Sequence, residues 1–168
     1  MKAFIGTKII KATSMTRKAY NDYRGWELPE DEKCLAEEDG FLVEYEDSEH
    51  QNHPDHSGYI SWSPERVFKD AYRDVDGLPF GHAIEAMKKG KLVARKGWNG
   101  NGMYLAIQSG STITKEQARG GVAKALADSG ATKISILPHI DMCSAQGECV
   151  IGWVASQTDM LSDDWVII

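Results

Sequence analysis

The sequence predicts an α+β fold in two small domains, and three observations lead there. Helix signals alternate with short apolar runs bounded by Gly, Pro, Asn and Asp, the pattern of helices packed on antiparallel sheet. The stretch DVDGLP, residues 74–79, has the composition of a linker. Charge changes at the same place: residues 1–76 hold 10 Lys and Arg against 17 Asp and Glu, whereas residues 77–168 hold 9 against 8. The net charges of −7 and +1 together give the −6 of the whole chain. We therefore expect an accessory N-terminal α+β domain over 1–76 and a second domain over 77–168. The second should be an antiparallel sheet with an N-terminal helix and an inserted helix, and 42% hydrophobic residues suffice for a core.

In the first domain, residues 4–10 read as a strand. Thr13 or Ser14 can cap a helix running to Tyr23, with Gly25 as its stop. Residues 27–40 are acidic and turn-rich and read as a loop, followed by strands over 41–46 and 58–62 with a polar connector between them. Ser63 as N-cap, Pro64 in the first turn and Glu65 behind it start a second helix. Val67, Phe68, Ala71 and Tyr72 form its apolar face.

The second domain opens with a helix over 80–89, whose buried stripe is Phe80, Ile84 and Met87 and whose stop is Gly90. Strands over 92–95 and 103–107 flank a glycine-rich turn. Thr114 with Gln117 makes a capping box for a helix to Ser129, weakened by Gly120 and Gly121 and ended by Gly130. Further strands are expected over 134–137, 150–155 and 165–168.

Several function classes are thin here. The N-terminus MKAFIGTKIIKA lacks a signal peptide's apolar run, and no stretch has the roughly 20 apolar residues of a membrane span. We expect a cytoplasmic protein with no membrane partner. The acidic first half argues against a nucleic-acid surface. Cys34, Cys143 and Cys149 are odd in number and contain no CxxC pair, so reduced thiols are expected. GxSxG, HExxH, Walker and GxGxxG motifs are missing. His50, His53, Asp55 and His56 have spacings that could hold zinc, but they lie in a hydrophilic loop and read as solvated. His139, Asp141 and Cys143 would share one face of an extended segment, yet a triad normally gathers from separate segments. That stretch reads as an edge segment and turn, so no catalytic residue, metal or cofactor is assigned.

What stands out is a binding pattern. Arg95, Trp98 and Asn99 lie on a glycine-rich turn straight after a strand. Such a turn lets a ligand approach the backbone, Trp98 offers a stacking face, and Arg95 and Asn99 offer hydrogen bonds. Trp98 as a core aromatic with Arg95 as a surface partner fits the sequence equally well. Lys88, Lys89, Lys91, Arg95 and Lys96 crowd into nine residues, a solvated face or a setting for a phosphate-bearing anion. Thr158, Asp159 and Asp163 supply a second polar turn before the last strand.

At these residues a family resemblance becomes specific. The runs LPFGHAIEAMKKGKLVARKGWNG, PHIDM, IGW and ASQTDMLSDDWVII resemble the second-type Thoeris anti-defence proteins of phages over residues 78–168. Those are small sponges that sequester immune signalling nucleotides. The resemblance implies a compact α+β fold and a homo-tetramer or dimer of dimers with pockets between protomers. It implies a small-molecule partner, a cyclic ADP-ribose isomer made by a TIR-domain enzyme, with cyclic di- or trinucleotides for some members. It implies ligand contacts from Arg95, Trp98, Asn99, Thr158 and Asp159, with Phe80 as a further candidate, and action in the infected bacterial host. A sponge needs no nucleophile, so no enzyme activity is expected. The chain departs from short members in residues 108–132, which look like an inserted helix over 114–129, and in residues 1–76, which form an extra domain.

Overall fold

A computed structural model describes every residue except Met1, Phe4 and Ile5. The chain divides into two compact units, Met1–Arg73 and Asp74–Ile168. Both combine helices with antiparallel sheet, an α+β architecture.

The first unit is a three-stranded antiparallel sheet with helices on both faces. Strand β1, Lys11–Ser14, precedes helix α1, Arg17–Arg24, and a 3-10 turn, Glu30–Leu35. Strands β2, Gly40–Tyr45, and β3, Tyr59–Pro64, then pair along their full length and lead into helix α2, Glu65–Ala71. The strand expected over 4–10 begins on residues outside those described, and residues 6–10 carry no strand. Thr13 and Ser14 do not cap α1, because they pair with Leu42 and Phe41. The cap passes to Thr16, whose side chain accepts from the Ala19 amide, while Gly25 ends the helix with φ 67° as expected. Ser63 likewise stays in β3 opposite Phe41, and the helix starts at Glu65.

Alternation along β2 sends its side chains to two cores. Leu42 packs with Tyr20 of α1 and with Ile60, and Trp62 closes that side by donating to the Met15 carbonyl at 2.8 Å. Phe41 faces the other way and stacks on Phe68 of α2 with ring centroids 4.1 Å apart. Val43 and Ile60 are wholly buried.

In the second unit, helix α3, Phe80–Lys88, packs on one face of a five-stranded antiparallel sheet. The strands are β4, Val93–Arg95; β5, Tyr104–Gln108; β8, His139–Cys143; β9, Cys149–Val150; and β10, Trp165–Ile167, in the order β10-β4-β5-β8-β9. Two further strands, β6, Ser111–Thr114, and β7, Lys133–Ile136, form a separate pair that packs with helix α4, Gly121–Asp128. A four-residue helix, α5, Gln157–Met160, precedes β10. The core is Leu78, Ala83, Ala86, Met87, Val93, Leu105 and Trp165, so the α3 stripe is built on two alanines and Met87 with Phe80 and Ile84 at its margin.

Four expectations change here. The residues read as a linker belong to the second unit: Leu78 bridges Trp165, and the Ile167 amide donates to the Val75 carbonyl at 3.2 Å. The Thr114–Gln117 capping box is present, but it caps only a 3-10 turn, Lys115–Gln117. Ala118 and Gly120 then adopt extended backbone, and α4 starts afresh at Gly121, so one long inserted helix becomes strand, turn and short helix. β8 is an inner strand rather than an edge. The strand expected over 150–155 stops at Val150, because Gly152 takes φ 79° and turns the chain.

Acid should weaken the first unit at Glu44. Its carboxylate accepts from His56 at 2.9 Å and from the Ser57 and Gly58 amides, and these bonds hold it at about 2 against an ordinary 4.5. A depressed carboxyl stabilises above its unfolded value, so this contribution is lost as pH falls from about 4.5 toward about 2. Protection of the Ser57 and Gly58 amides, taken relative to their intrinsic exchange rates at each pH, should fall over that window in the native chain and stay level in Glu44→Gln.

Candidate functional site

The candidate site of the second unit is assembled around one carboxylate. α5 exists because Ser156 and Asp159 form a reciprocal capping box: the Asp159 amide donates to the Ser156 hydroxyl at 3.1 Å. The Asp159 Oδ2 in turn accepts from the Ser156 amide at 3.1 Å and its hydroxyl at 2.6 Å. That leaves Oδ1 facing the turn after β4, where Arg95 Nη1 donates at 2.9 Å and the Trp98 indole N–H at 3.2 Å. The Asp159 carbonyl accepts from the Trp165 indole at 3.0 Å. One residue thus binds helix α5, the glycine-rich turn and the last strand.

Arg95 is held from the other side by Asp164. Its Nε and Nη2 donate to the two Asp164 oxygens at 2.8 and 3.2 Å, a bidentate pair. Asp164 also takes the Gly97 amide at 2.8 Å, and its carbonyl takes the Lys96 amide at 3.1 Å. The approach at Gly97 is close: a Cβ there would lie 2.6 Å from Asp164 Oδ2, so a side chain at this position would have to displace the carboxylate that holds Arg95. Burial pushes the Asp159 carboxyl up, but the bonds from Ser156, Arg95 and Trp98 outweigh it and hold the group at about 2. Arg95 beside Asp164 holds that carboxyl low as well.

Above this ionic cluster sits an aromatic group. Trp98, Trp153, Trp165 and Phe80 meet edge-on or tilted, with centroids 5.2 to 6.3 Å apart. Trp165 is wholly buried, while Trp98, Trp153 and Phe80 remain half-buried at the core's margin. The rim is formed by Asn99 and Thr158, exposed neighbours in sequence of Trp98 and Asp159; Val154 and Leu161 are exposed as well.

The two turns singled out in the sequence therefore meet within one chain. Arg95, Trp98 and Asp159 are in direct contact, Phe80 joins them through the tryptophans, and Asn99 and Thr158 stand on the rim. The second carboxylate partner of Arg95 is not Asp163 but its neighbour Asp164. Ser156, Trp153, Trp165 and Asp164 were missed as members of the site. Ser156 had a signal, a Ser-x-x-Asp spacing before a short helix. Of the clustered cations, Lys88 is paired with Glu85 and Lys96 with Asp76, both on the surface.

Residues 78–168, which contain every one of these groups, match the Thoeris anti-defense 2-like domain family. The chain belongs to that family. It is 30% identical over 91 residues to "Thoeris anti-defense 2" of Bacillus phage SP01, a match covering 54% of this chain and 94% of that protein. The matched segment of this Thoeris anti-defence 2-like chain begins at Leu78, where the backbone first pairs with Trp165. The capping pair, the Arg95 clasp and the aromatic group thus all fall inside the anti-defence domain.

Two other polar groupings resolve differently. His53 and His56 are packed rather than solvated: His53 stacks on Tyr23, and His56 bridges the Tyr23 hydroxyl at 3.0 Å and Glu44 at 2.9 Å. The carboxylate that reaches them comes from β2, too far along the chain for local spacing to show. On β8, His139, Asp141 and Cys143 do share one face, but the thiol beside Asp141 is that of Cys149, at 3.9 Å. Cys143 donates instead to the Ser144 carbonyl at 3.6 Å.

Removing the central carboxylate should be costly. Asp159→Ala strands a buried guanidinium on one partner and orphans the Trp98 and Ser156 donors, a loss of about 3 kcal/mol or more in denaturant unfolding. Asp163→Ala, one turn away and exposed, should change the same measurement by less than about 0.5 kcal/mol.

Proposed function

We propose that residues 78–168 bind and sequester a cyclic nucleotide immune signal without cleaving it. Cyclic ADP-ribose isomers are the first ligand class and cyclic di- and trinucleotides the second. The observation that carries this reading is the family match, which falls on the segment holding the Asp159 clasp and its aromatic group.

The geometry refines the roles. Arg95 has an 11% exposed side chain and three donors committed to two carboxylates, so it positions the turn. Trp98 has its indole orientation set by Asp159, and its half-exposed ring is the face offered to a base. Asn99 and Thr158 stand exposed on either side, suited to ribose hydroxyls or a base edge. Phosphate charge falls to the lysines. Surface ion pairs such as Lys96–Asp76, 53% and 69% exposed, contribute about 0 to 1 kcal/mol, so a pyrophosphate can replace the carboxylate at little cost.

The rim also carries large exposed apolar side chains: Ile151 at 75%, Val154 at 84% and Leu161 at 82%. Such a patch beside the candidate site suits a pocket completed by a second protomer, in a homo-tetramer or dimer of dimers working in the host cytoplasm. Sequestration asks for tight, shielded binding and no nucleophile.

The test is to incubate the purified full chain with a panel of cyclic ADP-ribose isomers and cyclic oligonucleotides, then denature it and identify what is released. Intact ligand at a fixed ratio per protomer is expected. Turnover at substoichiometric protein would instead make it a hydrolase. Asn99→Ala and Thr158→Ala should each weaken binding about tenfold, roughly 1.4 kcal/mol, while leaving the melting temperature in place. Trp98→Phe keeps an aromatic ring but loses the Asp159 bond, and should cost both stability and affinity.

A further inference from the structure

The sheet face turned away from α3 carries two thiols that have no part in the Asp159 network. Ile140 and Met142 of β8 pack toward the α3 core, so strand alternation puts His139, Asp141 and Cys143 on the opposite face. There Cys143 lies directly opposite Cys149 of β9, and Tyr104 of β5 lies directly opposite Cys143 on its other side.

That register is set by a tight hairpin. The Ser144 amide donates to the Glu148 carbonyl at 2.8 Å and the Gly147 amide to the Ser144 carbonyl at 2.9 Å, with Gly147 at φ 80°. The Ser144 hydroxyl accepts from the Gln146 and Glu148 amides at 3.3 and 3.1 Å. Directly opposed residues of an antiparallel pair have Cα atoms roughly 4.5 to 5.5 Å apart. That lies inside the roughly 4.4 to 6.8 Å a disulfide spans. Both cysteines are free thiols, Cys149 exposed and Cys143 half-buried.

We propose that Cys143 and Cys149 are a reversible redox modification site, a cross-strand dithiol that closes to a disulfide. The oxidant class is a low-molecular-weight disulfide. The more accessible Cys149, as thiolate, attacks one sulfur of that reagent, forming a mixed disulfide and expelling one small thiolate. Cys143, as thiolate, then attacks the Cys149 sulfur, the intramolecular S–S bond forms, and the second small thiolate leaves. The two protons lost by the cysteines go to the two released thiolates, so two electrons pass from the protein to the reagent. The consequence reaches the aromatic group. β9 leads directly into Gly152, whose amide donates to Asp141 at 3.1 Å, and Trp153, whose amide donates to the Ile140 carbonyl at 2.7 Å. Bridging β8 to β9 therefore steadies the segment that carries Trp153 against Trp98 and Trp165.

The experiment uses the full chain carrying Cys34→Ser, a substitution at an exposed position in a 3-10 turn, treated with oxidised glutathione. The expected product has lost the mass of two hydrogens, resists alkylation at both remaining cysteines, yields a peptide linking Cys143 to Cys149, and reverts with dithiothreitol. Adding Cys149→Ser should leave Cys143 free or with a single glutathione. In the bridged form, amide exchange at Trp153 should slow. Two separate glutathione adducts, continued alkylation of both thiols, or a bridge between chains would overturn the proposal. Should Cys34→Ser not fold, the same peptide map on the native chain decides, and a bridge from either cysteine to Cys34 counts against it.

Discussion

Asp159 occupies the position on which the second unit depends, because a turn distant in sequence, the cap of its own helix and the last strand all direct polar groups to it. Taking a carboxylate and a guanidinium out of water costs several kcal/mol for each ion, and only well-aligned bonds recover that. Here the recovery is unusually full: Asp159 accepts from Ser156 twice, from Arg95 and from Trp98, and Arg95 is gripped from behind by Asp164. Buried ion pairs of this kind add little net stability compared with an apolar filling. What they do well is reject alternative arrangements, since any shift of the glycine-rich turn leaves a buried charge unmatched. The turn is thereby locked to α5, and Trp98 is locked with it.

That locking changes what the site asks of each side chain. A cation already bonded to two carboxylates is poorly placed to give itself to a phosphate, whereas lysines in exposed pairs can change partners freely. Arg95, Asp159 and Asp164 therefore set the shape of the turn, and the proposed recognition of a ligand rests on Trp98, Asn99 and Thr158.

The two units use the same device at different places. In the first, Glu44 from β2 collects His56 and the Ser57 and Gly58 amides, pinning the end of the connector that leads into β3. In the second, Asp159 and Asp164 pin the turn after β4. In each case a short sheet is steadied by a carboxylate whose partners arrive from a loop, which suits small units with limited cores.

Much of this was legible in the chain alone, and the parts that were not share a cause. Apolar runs and glycine stops located α3, β2, β3, β5 and the end of α1 to within a residue or two, because period and positive-φ glycine are local properties. The Arg95–Asn99 turn and the Asp159 turn were also visible as polar punctuation around apolar strands. Caps failed where strand pairing competed: Thr13, Ser14 and Ser63 have the right side chains, but cross-strand hydrogen bonds claimed their backbone first. The helix expected over 114–129 failed similarly, since β6 pairs with β7 and two glycines break the run. Residue types and spacing by themselves determined an α+β chain with a glycine-rich polar turn at Arg95–Trp98–Asn99 and a carboxylate turn at Asp159. Only the tertiary structure decided that Asp164 rather than Asp163 completes the clasp, that Glu44 reaches His56, and that Cys143 faces Cys149. The first two are contacts between segments far apart in the chain and the third is a matter of hairpin register, and spacing alone records neither burial nor register.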